Sequence, residues 1–341
     1  MRFAKIAIVG TTSWGLCLAY RLAQREERSV AVLTRSAAEA DELAATRTSK
    51  RLPSSIKLPP NIRFHHSPAV AAGDADLVAV CVPSSTIESN IAALRGALRA
   101  DAAVLSATKG IQQNSGATMS QLIAEGLPQL RDGWVGAISG PNLSSEIAAG
   151  LVSCTTVAFR DLELAKAVQM DLHTNSLRVY SSDDLTGVEI GGAYKNIIAI
   201  GAGFVDALEA GANAKAAFVT RGLHEMIRYG TRRGGRLETF TGLSGAGDLM
   251  ATCYSERSRN HRMGVNLARG MPVEDAMAEI GQSVEGVAAT RAIVRSAKEL
   301  GVELPIAELT HAVLFEGLLP SIVGQILNRD PKVEQHISRI L

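Results

Sequence analysis

Two kinds of hydrophobic pattern follow one another along the chain. Up to about residue 180, short apolar runs of strand length alternate with stretches of helical periodicity. The apolar runs span residues 5–9, 30–33, 77–82, 103–105, 135–138 and 153–157, an edge strand is predicted at 179–180, and residues 85–99 and 117–125 are among the helical stretches. This alternation predicts a mostly parallel sheet that is covered on both faces.

The pattern changes at residues 182–186. From Asp184 onward no strand is predicted, and helical periodicity covers residues 188–208, 212–232, 259–268, 284–300 and 306–315, with glycine and proline between them. The sequence therefore predicts the α/β class. A Rossmann-like, doubly wound, mostly parallel sheet domain is expected over residues 1–183, followed by an all-α domain over residues 184–341.

The first strand leads through a short turn into a helix. Residues 10–15 read Gly-Thr-Thr-Ser-Trp-Gly, close to the G-x-G-x-x-G fingerprint that places a pyrophosphate on a helix N-terminus. Thr12 stands where the fingerprint has its second glycine, and a stiff β-branched side chain there predicts a displaced loop, which Thr12→Gly would relieve. A Thr12 hydroxyl that contacts phosphate is one alternative. A β-to-α turn of any α/β protein is another.

The second strand ends without an acidic residue. Thr34, Arg35 and Ser36 follow it, whereas NAD-specific Rossmann domains place Asp or Glu there for the ribose hydroxyls. The planar guanidinium of Arg35 matches the oxygens of a 2′-phosphate, which predicts a preference for NADP over NAD. A solvated surface arginine is the alternative interpretation.

Polar turns follow three further strands. They contain Ser84, Lys109 and the Ser-Gly-Pro-Asn segment 139–142. Ligands of open α/β sheets bind at the carboxyl ends of the strands, so these turns predict one crevice in which Lys109 faces an anion. A lysine in a surface turn is equally common.

One charged residue interrupts the apolar helix predicted over residues 188–208. Lys195 lies among apolar neighbours there. Burial disfavours the ammonium form of a lysine, which suits proton transfer near neutral pH. A lysine that snorkels to the surface of a partly exposed helix is the alternative.

Two polar segments lie further along the helical half. Asp248 ends a glycine-rich turn, where capping of the next helix is a sufficient explanation for a carboxylate. Ser258 stands at a predicted N-cap, with Arg259 and Asn260 in the first turn. A basic residue is unfavourable at that end of a helix unless an anion binds, so this segment predicts a phosphate site for substrate, cofactor or both.

Composition narrows the classes of function. Lys and Arg number 35 against 34 acidic residues, and aromatic residues make up 4% of the chain, so there is no signature of nucleic-acid binding. No apolar run reaches membrane-spanning length. The four cysteines are far apart in sequence, as is typical of reduced thiols, and no signal peptide is predicted. These features predict a cytoplasmic protein.

Taken in order, these segments resemble the bacterial NAD(P)-dependent sn-glycerol-3-phosphate dehydrogenase family nearly end to end. The most specific blocks are residues 191–196 (Gly-Gly-Ala-Tyr-Lys-Asn), 247–249 (Gly-Asp-Leu) and 258–260 (Ser-Arg-Asn). Three segments depart from the family pattern. They are Thr11-Thr12 where Ala-Gly is usual, residues 142–144 (Asn-Leu-Ser) where Ser-Phe-Ala is usual, and Ser283 where Val is usual.

The resemblance implies an oxidoreductase that interconverts dihydroxyacetone phosphate and sn-glycerol 3-phosphate, with NADP preferred or NAD as cofactor. Lys195 would be the general acid/base, and the product would supply phospholipid synthesis. The implied partner is this small phosphorylated substrate, and a homodimer is possible. The resemblance implies cofactor contacts from Gly10, Ser13, Trp14, Gly15, Arg35, Lys109, Ser144, Arg259, Ser283 and Glu285, substrate contacts from Lys109, Gly140, Asn142, Lys195, Asp248, Ser258, Arg259 and Asn260, and no metal ligand.

Two alternatives remain at the level of sequence. One is a related dehydrogenase of another small phosphorylated or acidic ketone, which altered residues at 258–260 would indicate. The other is a paralogue that binds a metabolite without turnover. Its support is the threonine pair at 11 and 12 in the predicted cofactor loop.

Overall fold

A computed structural model describes residues 3–318 of the 341-residue chain. The chain forms two compact units. The first unit contains residues 3–109 and 119–185, and the second contains residues 110–118 and 186–318. No helix within residues 3–318 has both the length and the apolar content that a membrane crossing requires.

The first unit is built around one eight-stranded sheet. The strands are β1 (Lys5–Val9), β2 (Ser29–Leu33), β3 (Ile62–His65), β4 (Leu77–Val80), β5 (Ala103–Ser106), β6 (Val135–Ser139), β7 (Ser153–Phe159) and β8 (Leu177–Ser182). Their spatial order is β3-β2-β1-β4-β5-β6-β7-β8, and all neighbours are parallel except β6 and β7. The order of strand addition reverses between β1 and β4, so ligand binding is expected beside that switch point.

Helices cover both faces of this sheet. They are α1 (Ser13–Leu22), α2 (Ala37–Thr46), α3 (Pro68–Ala72), α4 (Ile87–Leu94), α5 (Met119–Gly126), α6 (Ser144–Ala148) and α7 (Leu162–Leu172). Alternate side chains of β1 enter two different cores: Ile8 packs in one core with Leu16 of α1, and Val9 in the other with Ile91 of α4. This two-sided burial explains why the strands are almost entirely apolar.

Within the described residues the second unit consists of helices and connecting segments, with one isolated β-bridge between Ile111 and Thr118. Its helices are α8 (Leu185–Ala207), α9 (Gly211–Arg232), α10 (Leu237–Thr241), α11 (Asp248–Cys253), α12 (Arg259–Ala268), α13 (Val273–Ile280), α14 (Glu285–Leu300) and α15 (Pro305–Phe315), with a π-helical turn at Leu243–Gly247. Helix α8 lies at the centre, because Ile197 belongs to one apolar core of the unit and Phe204 to a second. A helix that is apolar on all sides is expected at such a position.

The predicted fold class is confirmed by this architecture, whereas two local predictions are wrong. The helix expected over residues 85–99 ends at Leu94, because Arg95 turns to extended backbone and Gly96 takes a φ of 75°. The turn expected before Asp248 is a π-helical turn whose residues Ser244 and Gly245 are buried. The short strand β3 was not predicted, since its residues lie among polar positions.

Candidate active site

A buried lysine and a buried carboxylate form the centre of the site in the second unit. Lys195 on α8 is 7% exposed and Asp248 on α11 is 1% exposed. The Lys195 Nζ donates to Asp248 Oδ1 at 2.5 Å and to Thr252 Oγ1 at 2.7 Å. Two charges removed from water are tolerated when they pair and hydrogen-bond in this way. The snorkelling interpretation of Lys195 is therefore wrong.

The backbone around Asp248 aims its carboxylate at Lys195. The π-helical turn runs directly into α11, whose N-cap is Gly247, and no side chain caps that helix end. The expected capping role of Asp248 is therefore wrong. One turn later Thr252 donates its hydroxyl to the Asp248 carbonyl at 2.6 Å, so its oxygen can accept from Lys195. Thr252 was not identified from the sequence, although its i+4 spacing from Asp248 was visible.

A hydrogen-bonded chain fixes the start of α12 beside α8. Asn260 Nδ2 donates to Asn196 Oδ1 at 2.8 Å, and Asn260 Oδ1 accepts the Gly286 amide at 2.9 Å. The two helices can come this close because Gly264 has no side chain. A Cβ at that position would lie 1.8 Å from the Ile200 carbonyl oxygen. Asn260 thus links three helices of the unit, which is a structural role beyond the substrate contact predicted for it.

The predicted phosphate segment has the expected cap and an exposed arginine. Ser258 is the N-cap of α12, and its hydroxyl accepts the His261 amide at 3.2 Å. Arg259 donates through Nη1 to the Ser283 carbonyl at 2.9 Å, and the Ser283 hydroxyl donates to Glu285 Oε1 at 3.0 Å. Arg259, Ser283 and Glu285, predicted separately as cofactor contacts, are therefore neighbours in the structure.

In the first unit residues 10–15, called here the 10–15 loop, connect β1 to α1 at the place where the sequence predicts a nucleotide-binding turn. Gly10 has a φ of 99°, a conformation that favours glycine, and a Cβ there would lie 2.8 Å from Val82 Cγ1. A Cβ on Gly15 would lie 2.4 Å from the Gly10 carbonyl oxygen. The first glycine is therefore required by its positive φ and by the closeness of Val82, and the third by the closeness of the Gly10 carbonyl.

Thr12 fits this loop without a positive φ. Its φ is −62°, and as N-cap of α1 its hydroxyl accepts the Gly15 amide at 3.1 Å and donates to the Cys81 carbonyl at 2.7 Å. The single hydroxyl proton is used within the protein, so the alternative in which Thr12 donates to a phosphate does not hold in this structure. The amides of Ser13 and Trp14, in the first turn of α1, are of the kind that bind phosphate oxygens.

Orphaned polar atoms lie buried along the carboxyl edge of the sheet. The indole Nε1 of Trp14, the hydroxyls of Ser106 and Ser139 and the Oδ1 of Asn142 have no hydrogen-bond partner within residues 3–318. Nearby, the Lys109 Nζ donates to the Gly140 carbonyl at 2.9 Å. Ser144 begins the short helix α6. Buried polar atoms normally have partners, so these atoms fit a bound polar ligand such as a dinucleotide.

Arg35 has a carboxylate neighbour that the sequence analysis missed. Glu39 Oε2 accepts the Arg35 amide at 3.1 Å and its Nε at 3.4 Å. No acidic residue stands at the end of β2 in the sequence, as predicted, but the fold brings the carboxylate of Glu39 to that point. Ser36 caps α2 and accepts the Glu39 amide at 3.2 Å, so the Ser-x-x-Glu pattern of a capping box was the available signal.

The fold and the site together define a class of protein. An open parallel sheet with a phosphate-type loop at its switch point, followed in the chain by a helical unit with a buried lysine–carboxylate pair, is typical of a two-domain nicotinamide-dependent dehydrogenase. Residues 5–165 match the N-terminal model of the NAD-dependent glycerol-3-phosphate dehydrogenases, and residues 184–325 match the C-terminal model. The chain belongs to the NAD-dependent glycerol-3-phosphate dehydrogenase family, which confirms the resemblance seen in the sequence.

Individual relatives match over nearly the whole chain. A glycerol-3-phosphate dehydrogenase (NAD(P)+) of Nitrosococcus oceani is 39% identical over 323 residues, which cover 94% of this chain and 93% of the relative. A protein of that name from Ralstonia nicotianae is 40% identical over 339 residues, covering 97% and 99%. The crystal structure of glycerol-3-phosphate dehydrogenase from Coxiella burnetii has a TM-score of 0.90 at 33% identity, covering 96% of this chain and 99% of that one.

Proposed function

We propose that this protein interconverts dihydroxyacetone phosphate and sn-glycerol 3-phosphate with NADPH or NADH. The observation that carries the proposal is the buried Lys195–Asp248 pair, with Thr252 beside it, in a chain of this family. The curated relatives carry the name of the same activity. A nicotinamide cofactor, when bound, supplies the hydride that reduces the carbonyl carbon.

Lys195 handles the proton of this reaction. As the carbonyl carbon accepts a hydride, its oxygen gains negative charge and takes a proton, and the ammonium of Lys195 donates that proton. Asp248 orients the ammonium and stabilises its charge before the transfer. In the oxidative direction the neutral amine accepts the hydroxyl proton, and Asp248 then stabilises the new ammonium. Because the pair is almost fully buried, the electrostatic interaction is stronger than it would be in water.

The substrate phosphate is assigned to the start of α12. Ser258 caps that helix, and the exposed guanidinium of Arg259 lies in its first turn, where an anion offsets the unfavourable position of a cation. We place Asn260, Asp248 and Lys195 among the substrate contacts of the second unit. In the first unit Lys109, Gly140 and Asn142 are the proposed contacts, supported by Asn142 Oδ1, which has no hydrogen-bond partner among the described residues.

The cofactor is assigned to the switch point of the sheet. Gly10, Gly15 and the first turn of α1 at Ser13 and Trp14 would hold the pyrophosphate, and Arg35 the adenosine end. The buried Trp14 Nε1, for which residues 3–318 offer no acceptor, supports this assignment. The remaining cofactor contacts that we propose are Lys109 and Ser144 in the first unit and Arg259, Ser283 and Glu285 in the second.

Residues 1–183 are then the cofactor domain and residues 184–341 the catalytic domain, with residues 110–118 as a segment that belongs to the second unit. We further propose a cytoplasmic enzyme that supplies glycerol 3-phosphate for phospholipid synthesis. Whether it is a homodimer stays a prediction that light scattering after gel filtration tests.

A spectrophotometric assay tests the activity. The purified protein is mixed with NADPH or NADH and either dihydroxyacetone phosphate or unphosphorylated dihydroxyacetone, and loss of the reduced nicotinamide is followed. We expect oxidation with the phosphorylated ketone and at least a tenfold lower rate without the phosphate, as loss of about 1.4 kcal/mol of binding would give. Equal rates would contradict the phosphate site. No oxidation with either ketone, despite nucleotide binding, would favour the non-catalytic paralogue.

A further inference from the structure

A cluster of four residues lies at the carboxyl ends of β1 and β2, at the 10–15 loop. Its members are Thr11, Arg35, Glu39 and Arg51. Its centre is the carboxylate of Glu39, whose side chain is only 15% exposed. Glu39 Oε1 accepts the Thr11 hydroxyl at 2.7 Å and Arg51 Nη1 at 2.9 Å, and Oε2 accepts from the Arg35 amide and Nε. Each oxygen thus receives at least two donors, which fills the acceptor positions of a carboxylate.

Glu39 is a fixed negative charge. Burial alone would raise the pKa of Glu39, but the hydrogen bonds from Arg51, Thr11 and Arg35 outweigh it and lower the pKa to about 2. With two guanidiniums and one carboxylate, the cluster carries a net positive charge. Its carboxylate could accept a ribose hydroxyl only by losing one of its donors, and an unpaired donor or charge is costly when it is buried.

Each guanidinium has at least one nitrogen that does not bond Glu39. Arg51 uses Nη1 for Glu39 and for the Thr11 carbonyl and hydroxyl oxygens, while its Nε and Nη2 have no partner within residues 3–318. The Arg51 side chain is 38% exposed and that of Arg35 is 75% exposed. Arg35 Nη2 also reaches Glu39 Oε1, at 3.5 Å, so one carboxylate oxygen holds both arginines close together.

We propose that Arg51 and Arg35 form a two-armed clamp for the 2′-phosphate of NADPH, with Glu39 and Thr11 as the positioning residues that hold Arg51 in place. This inference rests on the proposed function only in that a nicotinamide dinucleotide binds at this edge of the sheet. The Nε and Nη2 donors of Arg51 match two phosphate oxygens, and the guanidinium of Arg35 adds a second positive charge, so the pair offers charge-assisted interactions that NADH cannot make.

The clamp also accounts for a residue that sequence reasoning left unexplained. Thr11 replaces the alanine usual in the family's loop, and its hydroxyl both donates to Glu39 and accepts from Arg51. Thr11 therefore connects the 10–15 loop to Glu39 and to Arg51 of the clamp. Its presence supports selection of the cofactor rather than loss of cofactor binding.

Isothermal titration of the intact protein with 2′,5′-ADP and with 5′-ADP measures how much the 2′-phosphate contributes to binding, independently of catalysis. We expect wild type to bind 2′,5′-ADP more tightly. Arg51→Gln should weaken 2′,5′-ADP roughly 10- to 100-fold, as loss of one charged hydrogen-bonding arm implies, with less than about a twofold change for 5′-ADP. Arg63, an exposed arginine on β3, provides the matched control, and Arg63→Gln should leave both affinities unchanged.

The positioning role is tested by a double-mutant cycle. Glu39→Gln should reduce the preference for 2′,5′-ADP, and Arg51→Gln should cost less in that background than in wild type, because Arg51 has already lost its holder. A Glu39→Gln protein with undiminished preference would overturn the positioning role. The clamp would be overturned if Arg51→Gln kept the preference for 2′,5′-ADP over 5′-ADP, or if wild type bound 5′-ADP more tightly. In either case, activity with dihydroxyacetone phosphate would leave the proposed function standing. Binding of neither nucleotide by wild type would overturn both.

Discussion

At the scale of single residues, the proposed chemistry depends on a lysine that the fold keeps away from water. Lys195 is charged, almost fully buried and held by two acceptors. The sequence showed that it stood in an apolar helix, but its partners were more than fifty residues away in the chain. Local periodicity could predict the burial of Lys195 and not the identity of Asp248 and Thr252, because pairing at that separation is set by packing of α8 against α11.

Replacement of Lys195 should affect turnover more than binding. Lys195→Met keeps most of the side-chain volume and removes the proton, so kcat is expected to fall roughly 10²- to 10⁴-fold, the usual contribution of an acid/base group. Steady-state kinetics with dihydroxyacetone phosphate measure this. Lys215 offers a matched control, since it pairs with Asp206 at 2.5 Å in the same unit. Lys215→Met should keep kcat, and a near-normal kcat for Lys195→Met would refute the assignment.

Thr12 shows how a residue that breaks a motif can be stabilising. The expected crowding of the loop assumed that only glycine fits there, yet its φ is ordinary for threonine and its hydroxyl makes two hydrogen bonds. Thr12→Ala should lower stability by about 1 kcal/mol, the usual cost of a lost N-cap, and Thr12→Ser should restore it. Thermal unfolding of the three proteins decides this. Equal melting temperatures for Ala and Ser variants would show that the cap contributes nothing.

At the scale of elements, the regular parts of the fold were predictable and the irregular parts were not. Helix α12 has the predicted bounds, because Ser258 caps its start. The π-helical turn at Leu243–Gly247 had no local signal, since its glycine-rich sequence is equally compatible with a loop. The cluster around Glu39 combines residues from three separate segments of the chain. Only the Ser36-x-x-Glu39 pattern indicated part of it in the sequence.

Helix α15 begins on a buried carboxylate, which makes its stability depend on pH. Glu225 accepts the Ile306 and Ala307 amides at 2.7 and 3.2 Å and the Tyr194 hydroxyl at 3.1 Å. Burial nevertheless raises the pKa of Glu225 from 4.5 to about 7. The folded protein therefore binds a proton that the unfolded chain releases between these pH values, so this contribution to stability falls as pH rises from 4.5 to about 7 and is constant above.

Glu225→Gln should remove that dependence. The difference in unfolding free energy between wild type and Glu225→Gln, followed by thermal unfolding, is expected to shift against wild type by about 2 kcal/mol from pH 5 to pH 7. Glu308 provides the control, since it is exposed and accepts the Leu304 amide at the same helix start. If the Glu225→Gln difference is as independent of pH as that of Glu308→Gln, the buried carboxylate does not titrate in this range.

At the scale of the whole molecule, the two units are not two continuous stretches of the chain. The alternation of strands and helices led us to assign every residue before 184 to the sheet domain, yet residues 110–118 belong to the second unit. Ile111 is 2% exposed in an apolar core of that unit, and Arg233 Nη2 donates to the Gly116 carbonyl at 2.9 Å. A short excursion of this kind has no periodicity of its own, so the pattern could not reveal it.

Residues 110–118 supply a core residue of the second unit from the earlier part of the chain. A substitution of that residue is therefore expected to change stability. Ile111→Ala should destabilise the second unit by about 2–5 kcal/mol, the cost of a cavity where a large aliphatic side chain was buried. Ile111→Val should cost about 0.5–1.5 kcal/mol, and the exposed neighbour Gln113, changed to Ala, should cost close to nothing. Calorimetric unfolding of the full chain measures all three. An Ile111→Ala protein that melts like Gln113→Ala would mean that residues 110–118 are not part of the second unit's core. A graded loss from Ala to Val would instead show that the helices of the second unit are stabilised by Ile111, which lies more than seventy residues before Thr186 in the chain.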